Sequence, residues 1–275
     1  MLKRNFFLVF SVLLPLIHLF ANPIDTLQVF SEAMEKEVPN LVILPNTYEN
    51  SKANLPVLYL LHGAGDQYTT WLDKAPELQA YADTYQMIIV CPDGGGTSWY
   101  LDSPIDETMR YETYLSKELI RAVDERYRSL ADRSGRAITG LSMGGHGAFF
   151  LAFRHPDIWG ATGSMSGGVD IRPFPNGWDL PKRLGSQERY PEHWEQHTVI
   201  NQLASLQDHH LEILFDCGLD DFFLEVNRAL HKALVSEGIP HAYTERPGSH
   251  NWEYWTQHIE YQLWFFHRFF QSKTR

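Results

Sequence analysis

The chain has 275 residues, of which 44% are hydrophobic, and its formal net charge at pH 7 is −11. This length allows one large hydrophobic core, and the fold needs no disulfide bond for its stability. So acidic a chain is a poor binder of nucleic acid or of an anionic membrane surface, and we expect a neutral or weakly charged ligand.

The first 21 residues have the order of a secretory signal peptide. Lys3 and Arg4 precede an apolar run over residues 6–20, which ends at the small residue Ala21. The run is short and lies very close to the N-terminus for a membrane span, and an uncleaved anchor is the alternative. We predict cleavage after Ala21, which removes two basic residues and takes the formal charge from −11 to −13. The mature chain, residues 22–275, is then expected to be secreted or periplasmic.

The remainder of the chain alternates strand-like and helix-like segments. Strands are predicted at residues 27–30, 38–44, 57–61, 87–90, 160–164, 211–215 and 241–245, with a further strand that includes Ala137 and Ile138. Helices are predicted at residues 76–85, 111–127, 148–153, 222–235 and 252–270. The first two strands are expected at the edge of the sheet, because Pro39 and Pro45 interrupt them. The alternation predicts one α/β domain with a mostly parallel sheet and helices on both faces.

Residues 167–210 interrupt this alternation. The segment is long and rich in proline, glycine, tryptophan and charged residues. Loops of this length inside a compact domain usually act as lids or binding loops. We therefore predict a cap over the functional site rather than a second domain.

The sequence Gly-Leu-Ser-Met-Gly at residues 140–144 falls between a predicted strand and a predicted helix. A turn this tight strains the backbone and brings the chain close to itself, so it needs glycine on both sides of the serine. It presents the Ser142 hydroxyl at the start of a helix, where N–H groups and the helix dipole favour negative charge. A glycine-rich turn with an incidental serine is the alternative, but the flanking strand and helix favour a nucleophile elbow.

A serine nucleophile needs a general base. Of the thirteen histidines, His250 lies in the predicted loop between the last strand and the last helix. That loop is at the carboxyl edge of the sheet, where the elbow also lies. His62 and His146 are near the same edge and are the lesser candidates for the base, but we interpret both as packed, hydrogen-bonded histidines.

The base in turn needs a carboxylate that orients it. Asp220 and Asp221 follow the strand predicted at residues 211–215, and either could reach His250 from there. The other aspartate would then cap the following helix. The chain order of serine, aspartate and histidine is the one associated with α/β-hydrolases.

The oxyanion of a tetrahedral intermediate needs two preorganised hydrogen-bond donors. The N–H of Met143, directly after the serine, is predicted as the first. The second is expected from the loop after the strand at residues 57–61, where the N–H of Ala64 is preferred and that of Gly63 is the alternative.

Four stretches resemble the esterase D, or "putative esterase", family of α/β-hydrolases. They are Leu-Leu-His-Gly at 60–63, Gly-Leu-Ser-Met-Gly-Gly at 140–145, Cys-Gly-Leu-Asp-Asp at 217–221 and Gly-Ser-His at 248–250. The family includes feruloyl, acetylxylan and tributyrin esterases, S-formylglutathione hydrolases and secreted mycolyltransferases. The resemblance runs from residue 55 or so to the C-terminus and implies an α/β-hydrolase fold. The family's acid lies three residues after the glycine that ends its strand, so the resemblance assigns Asp221 and keeps Asp220 in reserve.

Three tryptophans are predicted in loops that border the site, Trp99, Trp178 and Trp194. Each could stack on an aromatic acyl group or a sugar ring, or could instead pin its loop to the body of the protein. The segment at residues 98–104 also resembles the secreted carbohydrate-esterase branch of the family, whereas residues 167–210 depart from the family pattern.

No cofactor is expected. Glycines 94–96 lack the spacing of a dinucleotide-binding turn, and the histidines do not form a His-Glu-x-x-His motif, so a metal site is not expected either. Cys91 and Cys217 are expected to be buried free thiols, and a disulfide bond in an oxidising compartment is the alternative.

These observations predict a secreted serine esterase that acts on feruloyl or acetyl esters of plant polysaccharide. A generalist short-chain esterase and an acyltransferase are the alternatives, and a non-catalytic binding protein on the same scaffold is a further one.

Overall fold

The computed structural model describes residues 23–206 and 210–273, so the predicted signal peptide at residues 1–21 lies outside the described residues. Eight strands within them form one sheet in the order β1-β2-β4-β3-β5-β6-β7-β8. The strands are β1 (Ile24–Ser31), β2 (Lys36–Ile43), β3 (Val57–Leu61), β4 (Ile88–Pro92), β5 (Arg136–Gly140), β6 (Ala161–Met165), β7 (Glu212–Gly218) and β8 (Ala242–Arg246). β2 pairs antiparallel with β1 and β4, and the other neighbours pair in parallel. The predicted mostly parallel α/β sheet is confirmed.

Helices cover both faces of this sheet. They are α1 (Thr70–Lys74), α2 (Leu78–Tyr85), α3 (Tyr111–Thr113), α4 (Ile120–Arg126), α5 (Met143–Arg154), α6 (Leu180–Leu184), α7 (Pro191–Gln196), α8 (Leu224–Ser236) and α9 (Trp252–Lys273). A π-helical segment, Tyr114–Leu119, joins α3 to α4, which gives the long helical run predicted at residues 111–127. Across the described ranges, no helix is both long enough and apolar enough to cross a membrane.

Strand β3 shows why the sequence predicts a sheet buried on both sides. All five of its residues are buried. Val57, Tyr59 and Leu61 belong to the core shared with α5 and α8, whereas Leu58 and Leu60 belong to the core shared with α2 and α9. Successive side chains of a strand point to opposite faces, so an uninterrupted apolar run feeds two cores.

The prediction that Pro39 interrupts an edge strand is wrong. β1 is an edge strand, but β2 continues through Pro39 and pairs with β4 on its second side. The pairing of β2 with β4 begins at Asn40, one residue after the proline, and the Pro39 carbonyl accepts a hydrogen bond from the Asp93 N–H at 3.1 Å. The N–H that proline lacks therefore falls where the ladder with β4 has not yet begun.

The segment predicted as a cap packs against the body of the domain. Its described part, residues 167–206, contains α6, α7 and the 3₁₀ segment Val199–Leu206. Leu180, Trp194 and Val199 belong to the same core as α5. The segment thus has no core of its own, and its function as a cap stays a prediction.

Candidate active site

The serine lies on a strained turn between β5 and α5. Ser142 has φ 55° and ψ −117°, a backbone conformation that residues with a side chain rarely adopt. A Cβ atom at Gly140 would lie 2.7 Å from the Gly144 carbonyl oxygen, and one at Gly144 would lie 2.5 Å from the Leu61 carbonyl oxygen. Because backbone atoms cause both clashes, only glycine fits on either side of the elbow.

Ser142, His250 and Asp221 form one hydrogen-bonded chain. His250 Nε2 lies 2.8 Å from Ser142 Oγ, and His250 Nδ1 lies 2.9 and 3.0 Å from the two carboxylate oxygens of Asp221. The Asp221 side chain is fully buried, and its Oδ1 also accepts the Phe223 N–H at 2.8 Å. With the proton on Nδ1 held by the carboxylate, Nε2 is free to accept the serine proton. The arrangement is therefore suited to nucleophilic catalysis.

The structure shows which of the two candidate aspartates, Asp220 or Asp221, contacts His250. Asp221 contacts His250, whereas Asp220 is exposed and its backbone N–H donates to the Gly248 carbonyl at 2.9 Å. A Cβ at Gly218 would lie 2.4 Å from the same Gly248 oxygen. The loops after β7 and β8 are thus in backbone contact, which brings the acid to the histidine.

The two other histidines near this edge are packed and hydrogen-bonded, as expected from the sequence. His62 Nε2 accepts the Gly94 N–H at 2.7 Å, and its Nδ1 lies 2.8 Å from the Gly63 carbonyl oxygen. His146 is fully buried, with its ring nitrogens 3.1 and 3.0 Å from the carbonyl oxygens of Trp99 and His197. Burial lowers the pKa of both rings, that of His146 to about 4.

We expect His146 to make the fold less stable in acid. Its pKa falls from 6.5 to about 4 on folding, so the unfolded chain binds a proton that the folded chain excludes. The stability present above pH 6.5 should decline as the pH falls towards 4 and then level off, by about 3 kcal/mol for a shift of this size. The measurement is urea unfolding of the wild type and His146→Gln at several pH values in this window. Glutamine offers two N–H donors to the same carbonyls and does not titrate, so this part of the pH dependence should vanish. An unchanged pH dependence in the variant would contradict the assignment.

The loop after β3 packs against the elbow. A Cβ at Gly63 would lie 3.6 Å from Ser142 Cβ and 2.6 Å from Leu141 Cδ1. The Gly65 N–H donates to the Gly96 carbonyl at 2.9 Å, which ties this loop to the one after β4. Met143 is the first residue of α5, and Ala64 is half-buried beside Gly63. Both backbone segments predicted to stabilise an oxyanion therefore lie next to the serine, and the roles of Met143 and Ala64 stay predictions.

Two of the three tryptophans predicted to bind substrate are buried. Trp99 is 1% exposed, and its Nε1–H donates to the Trp178 carbonyl at 3.1 Å. Trp194 lies within α7 and is fully buried, and its Nε1–H donates to the Gly185 carbonyl at 3.0 Å. The prediction of a substrate-binding role is wrong for both, because neither ring has a face that a ligand can reach. Each indole N–H instead holds a backbone carbonyl of residues 167–206, in agreement with the alternative that these tryptophans fix loops to the body of the protein.

Of the three tryptophans predicted to bind substrate, Trp178 is the one with an exposed face near the site. Its side chain is partly exposed, and its ring stacks on Phe222 with centroids 5.5 Å apart. The Phe222 ring in turn lies 4.2 Å from the His250 ring. Sequence reasoning missed Phe222, although its place directly after the acid was a usable signal.

Within residues 23–206 and 210–273, no group of three or more histidine, cysteine, aspartate or glutamate side chains could hold a metal ion. Cys91 and Cys217 are both buried and free, which confirms the expectation for the two thiols.

Comparison with known proteins agrees with this geometry. Residues 31–266 match the family model described as "Putative esterase". An acetyl esterase from Caldicellulosiruptor saccharolyticus is 26% identical over 255 residues, which cover 84% of this chain and 92% of that protein. A solved structure of a ferulic acid esterase is 30% identical, with a TM-score of 0.76, and the match covers 90% of this chain and 98% of that one.

A third relative has a different activity in its name. The diacylglycerol acyltransferase/mycolyltransferase Ag85A of Mycobacterium leprae is 35% identical over 159 residues, which cover 54% of this chain and 45% of that protein. The fold and the family resemblance are both confirmed by these matches. The chain belongs to the putative esterase family of α/β-hydrolases, and it is a serine carboxylic-ester hydrolase.

Proposed function

We propose that the protein hydrolyses esters through an acyl-enzyme on Ser142, with His250 as general base and acid and Asp221 as the residue that orients it. The observation that carries this assignment is the continuous chain of hydrogen bonds from Ser142 Oγ through the His250 ring to the Asp221 carboxylate. The same three residues are the ones that the family resemblance assigns.

The proposed reaction has two halves. In the first, Ser142 Oγ attacks the ester carbonyl while His250 Nε2 takes its proton, and the N–H groups of Met143 and Ala64 hold the oxyanion. The tetrahedral intermediate collapses as His250 returns the proton to the departing alcohol. In the second half, a water molecule attacks the acyl-enzyme by the same route and releases the acid and the free serine.

The substrates that we propose are feruloyl or acetyl esters of plant polysaccharide. The support comes from similarity to an acetyl esterase and to a ferulic acid esterase, and from the net charge of −11, which favours a neutral substrate. The signal-like sequence at residues 1–21 supports the further proposal that the protein is secreted or periplasmic, where such polymers are reached.

Steady-state hydrolysis of matched esters tests this proposal. The panel is methyl ferulate and a feruloylated xylo-oligosaccharide, then ethyl acetate and an acetylated xylo-oligosaccharide, with 4-nitrophenyl acetate as a general substrate. We expect kcat/KM for each sugar ester to exceed that of its simple partner by about tenfold, the effect of one good ring contact. Turnover of the small esters alone would favour a generalist esterase, and no turnover of any ester would contradict hydrolysis.

Acyl transfer is the second candidate, and the similarity to a mycolyltransferase favours it. A transferase would use the same three residues but pass the acyl group to an acceptor alcohol instead of water. Product analysis with and without a sugar acceptor separates the two activities, because only a transferase would yield a new ester at the expense of the free acid.

A further inference from the structure

We propose that Trp178 and Phe222 together bind the alcohol half of the ester, and that this surface suits a sugar ring. The inference rests on the proposed function of Ser142 and His250. It specifies where the alcohol half of the ester binds and which residues contact it.

The two rings form an exposed aromatic surface. Trp178 is 36% exposed and Phe222 is 51% exposed, and their planes lie within 20° of each other. An exposed aromatic residue alone needs no explanation, but these two come from distant parts of the chain and meet beside the reacting groups. Trp178 belongs to the segment predicted as a cap, and Phe222 directly follows Asp221.

The position of Phe222 indicates which half of the substrate it contacts. His250 Nε2 must donate its proton to the departing oxygen, so that oxygen has to lie within hydrogen-bond reach of the ring. Three aromatic rings surround His250, those of Phe222, Phe223 and Trp255. Phe223 and Trp255 are buried, whereas Phe222 is open to a ligand. The group attached to the departing oxygen therefore passes over Phe222, while the acyl group remains on the serine.

The Trp178 ring is held in place by its own backbone. Trp178 and Asp179 have φ values of 42° and 60°, so two successive residues with side chains adopt a left-handed conformation. The Trp178 carbonyl accepts the Trp99 indole N–H, and the Asp179 carboxylate accepts the Thr97 hydroxyl at 3.1 Å. A surface fixed before binding loses little conformational freedom when the ligand arrives.

The chemistry of the surface favours a neutral, ring-shaped alcohol. An aromatic face attracts the C–H groups on the face of a pyranose, and the stacked pair extends this contact away from His250 over a second ring. The acidic chain repels an anionic alcohol. A saccharide meets both conditions. The alternative is that this surface binds an aromatic acyl group instead of the alcohol.

The test uses the fact that all esters of one acid give the same acyl-enzyme. A contact with the alcohol changes acylation in a manner that depends on the alcohol, and it leaves hydrolysis of the acyl-enzyme unchanged. Trp178→Ala is the main variant, because the Trp178 ring contacts the rings of Phe222 and Phe223, and these two rings in turn contact His250. Trp264→Ala is the matched control, since Trp264 is also exposed but lies on α9.

We expect Trp178→Ala to lower kcat/KM for a feruloylated xylo-oligosaccharide by about tenfold and that for methyl ferulate by less than about twofold. The deacylation rate constant, measured by stopped flow with 4-nitrophenyl ferulate, should stay at the wild-type value. Trp178→Phe should retain most of the sugar-ester activity, and Trp264→Ala should match the wild type throughout.

Two results would overturn the inference. An equal loss on both feruloyl esters, or a slower deacylation step, would place the surface on the acyl side. Unchanged kinetics in both Trp178→Ala and Trp178→Phe would show that the surface does not bind the substrate. Failure of the proposed function would look different, because the wild type itself would then show neither turnover nor a burst of 4-nitrophenol.

Discussion

Replacement of Ser142 by alanine is expected to lower kcat for ester hydrolysis by at least about 10⁴-fold. The change deletes only Oγ, the atom that lies 2.8 Å from His250 Nε2 and that the proposed mechanism makes the nucleophile. Without it no acyl-enzyme can form. Only the oxyanion donors and substrate binding would then remain to accelerate direct attack by water.

The same variant should fold normally. Alanine keeps the Cβ atom, so the strain at φ 55° is no greater than in the wild type, and the flanking glycines are untouched. We expect a thermal midpoint within a few degrees of the wild-type value. Mass spectrometry after reaction with a fluorophosphonate should find one label on the wild type, at Ser142, and none on the variant. Activity in the folded variant, or a label on another residue, would exclude Ser142 as the nucleophile.

Asp221→Asn is expected to lower kcat by about 10⁴-fold, and Asp220→Asn by less than about twofold. The Asp221 carboxylate accepts the Nδ1 proton of His250 in a fully buried position. An asparagine there can present its amide N–H₂ to Nδ1, which shifts the ring proton to Nε2 and removes the acceptor for the serine proton. Asp220 is exposed and contributes a backbone hydrogen bond that asparagine retains.

The two aspartate variants form a matched pair, because each makes the same chemical change at neighbouring positions. Steady-state kinetics with 4-nitrophenyl acetate at neutral pH, together with circular dichroism, provide the comparison. A large loss in Asp220→Asn with little loss in Asp221→Asn would mean that the acid has been assigned to the wrong residue.

The parts of this protein that the sequence predicted are those set by local pattern. The sequence predicts the strand Val57–Leu61 with its observed bounds, because a strand buried on both faces must be apolar at every position. The sequence predicts the tight turn at Ser142, because a strand, a pair of glycines and a helix leave few other conformations for the turn. His250 followed from its place at the end of the last strand.

The parts that were missed depend on contacts between distant segments. Trp99 follows a run of glycines and Trp194 stands among polar residues, and only the packing of residues 167–206 against α5 shows that their rings are enclosed. The continuity of β2 through Pro39 depends on where β4 begins to pair. Phe222, Trp178 and His250 lie on three different loops, so only the folded structure shows that their rings are in contact.

The order of the strands allows the segment at residues 167–206 to change in evolution independently of the strands that lead to Ser142 and Asp221. The segment at residues 167–206 leaves the sheet at the end of β6, which lies between β5, the strand that leads to Ser142, and β7, the strand that leads to Asp221. Exchange of that segment, or insertion into it, can remodel the surroundings of the reacting atoms without altering either strand, provided that the new segment still covers the core that it shares with α5. Substrate preference can therefore diverge quickly by loop replacement while the hydrolytic chemistry is inherited intact, and the same junction is the natural place to graft a segment from a relative.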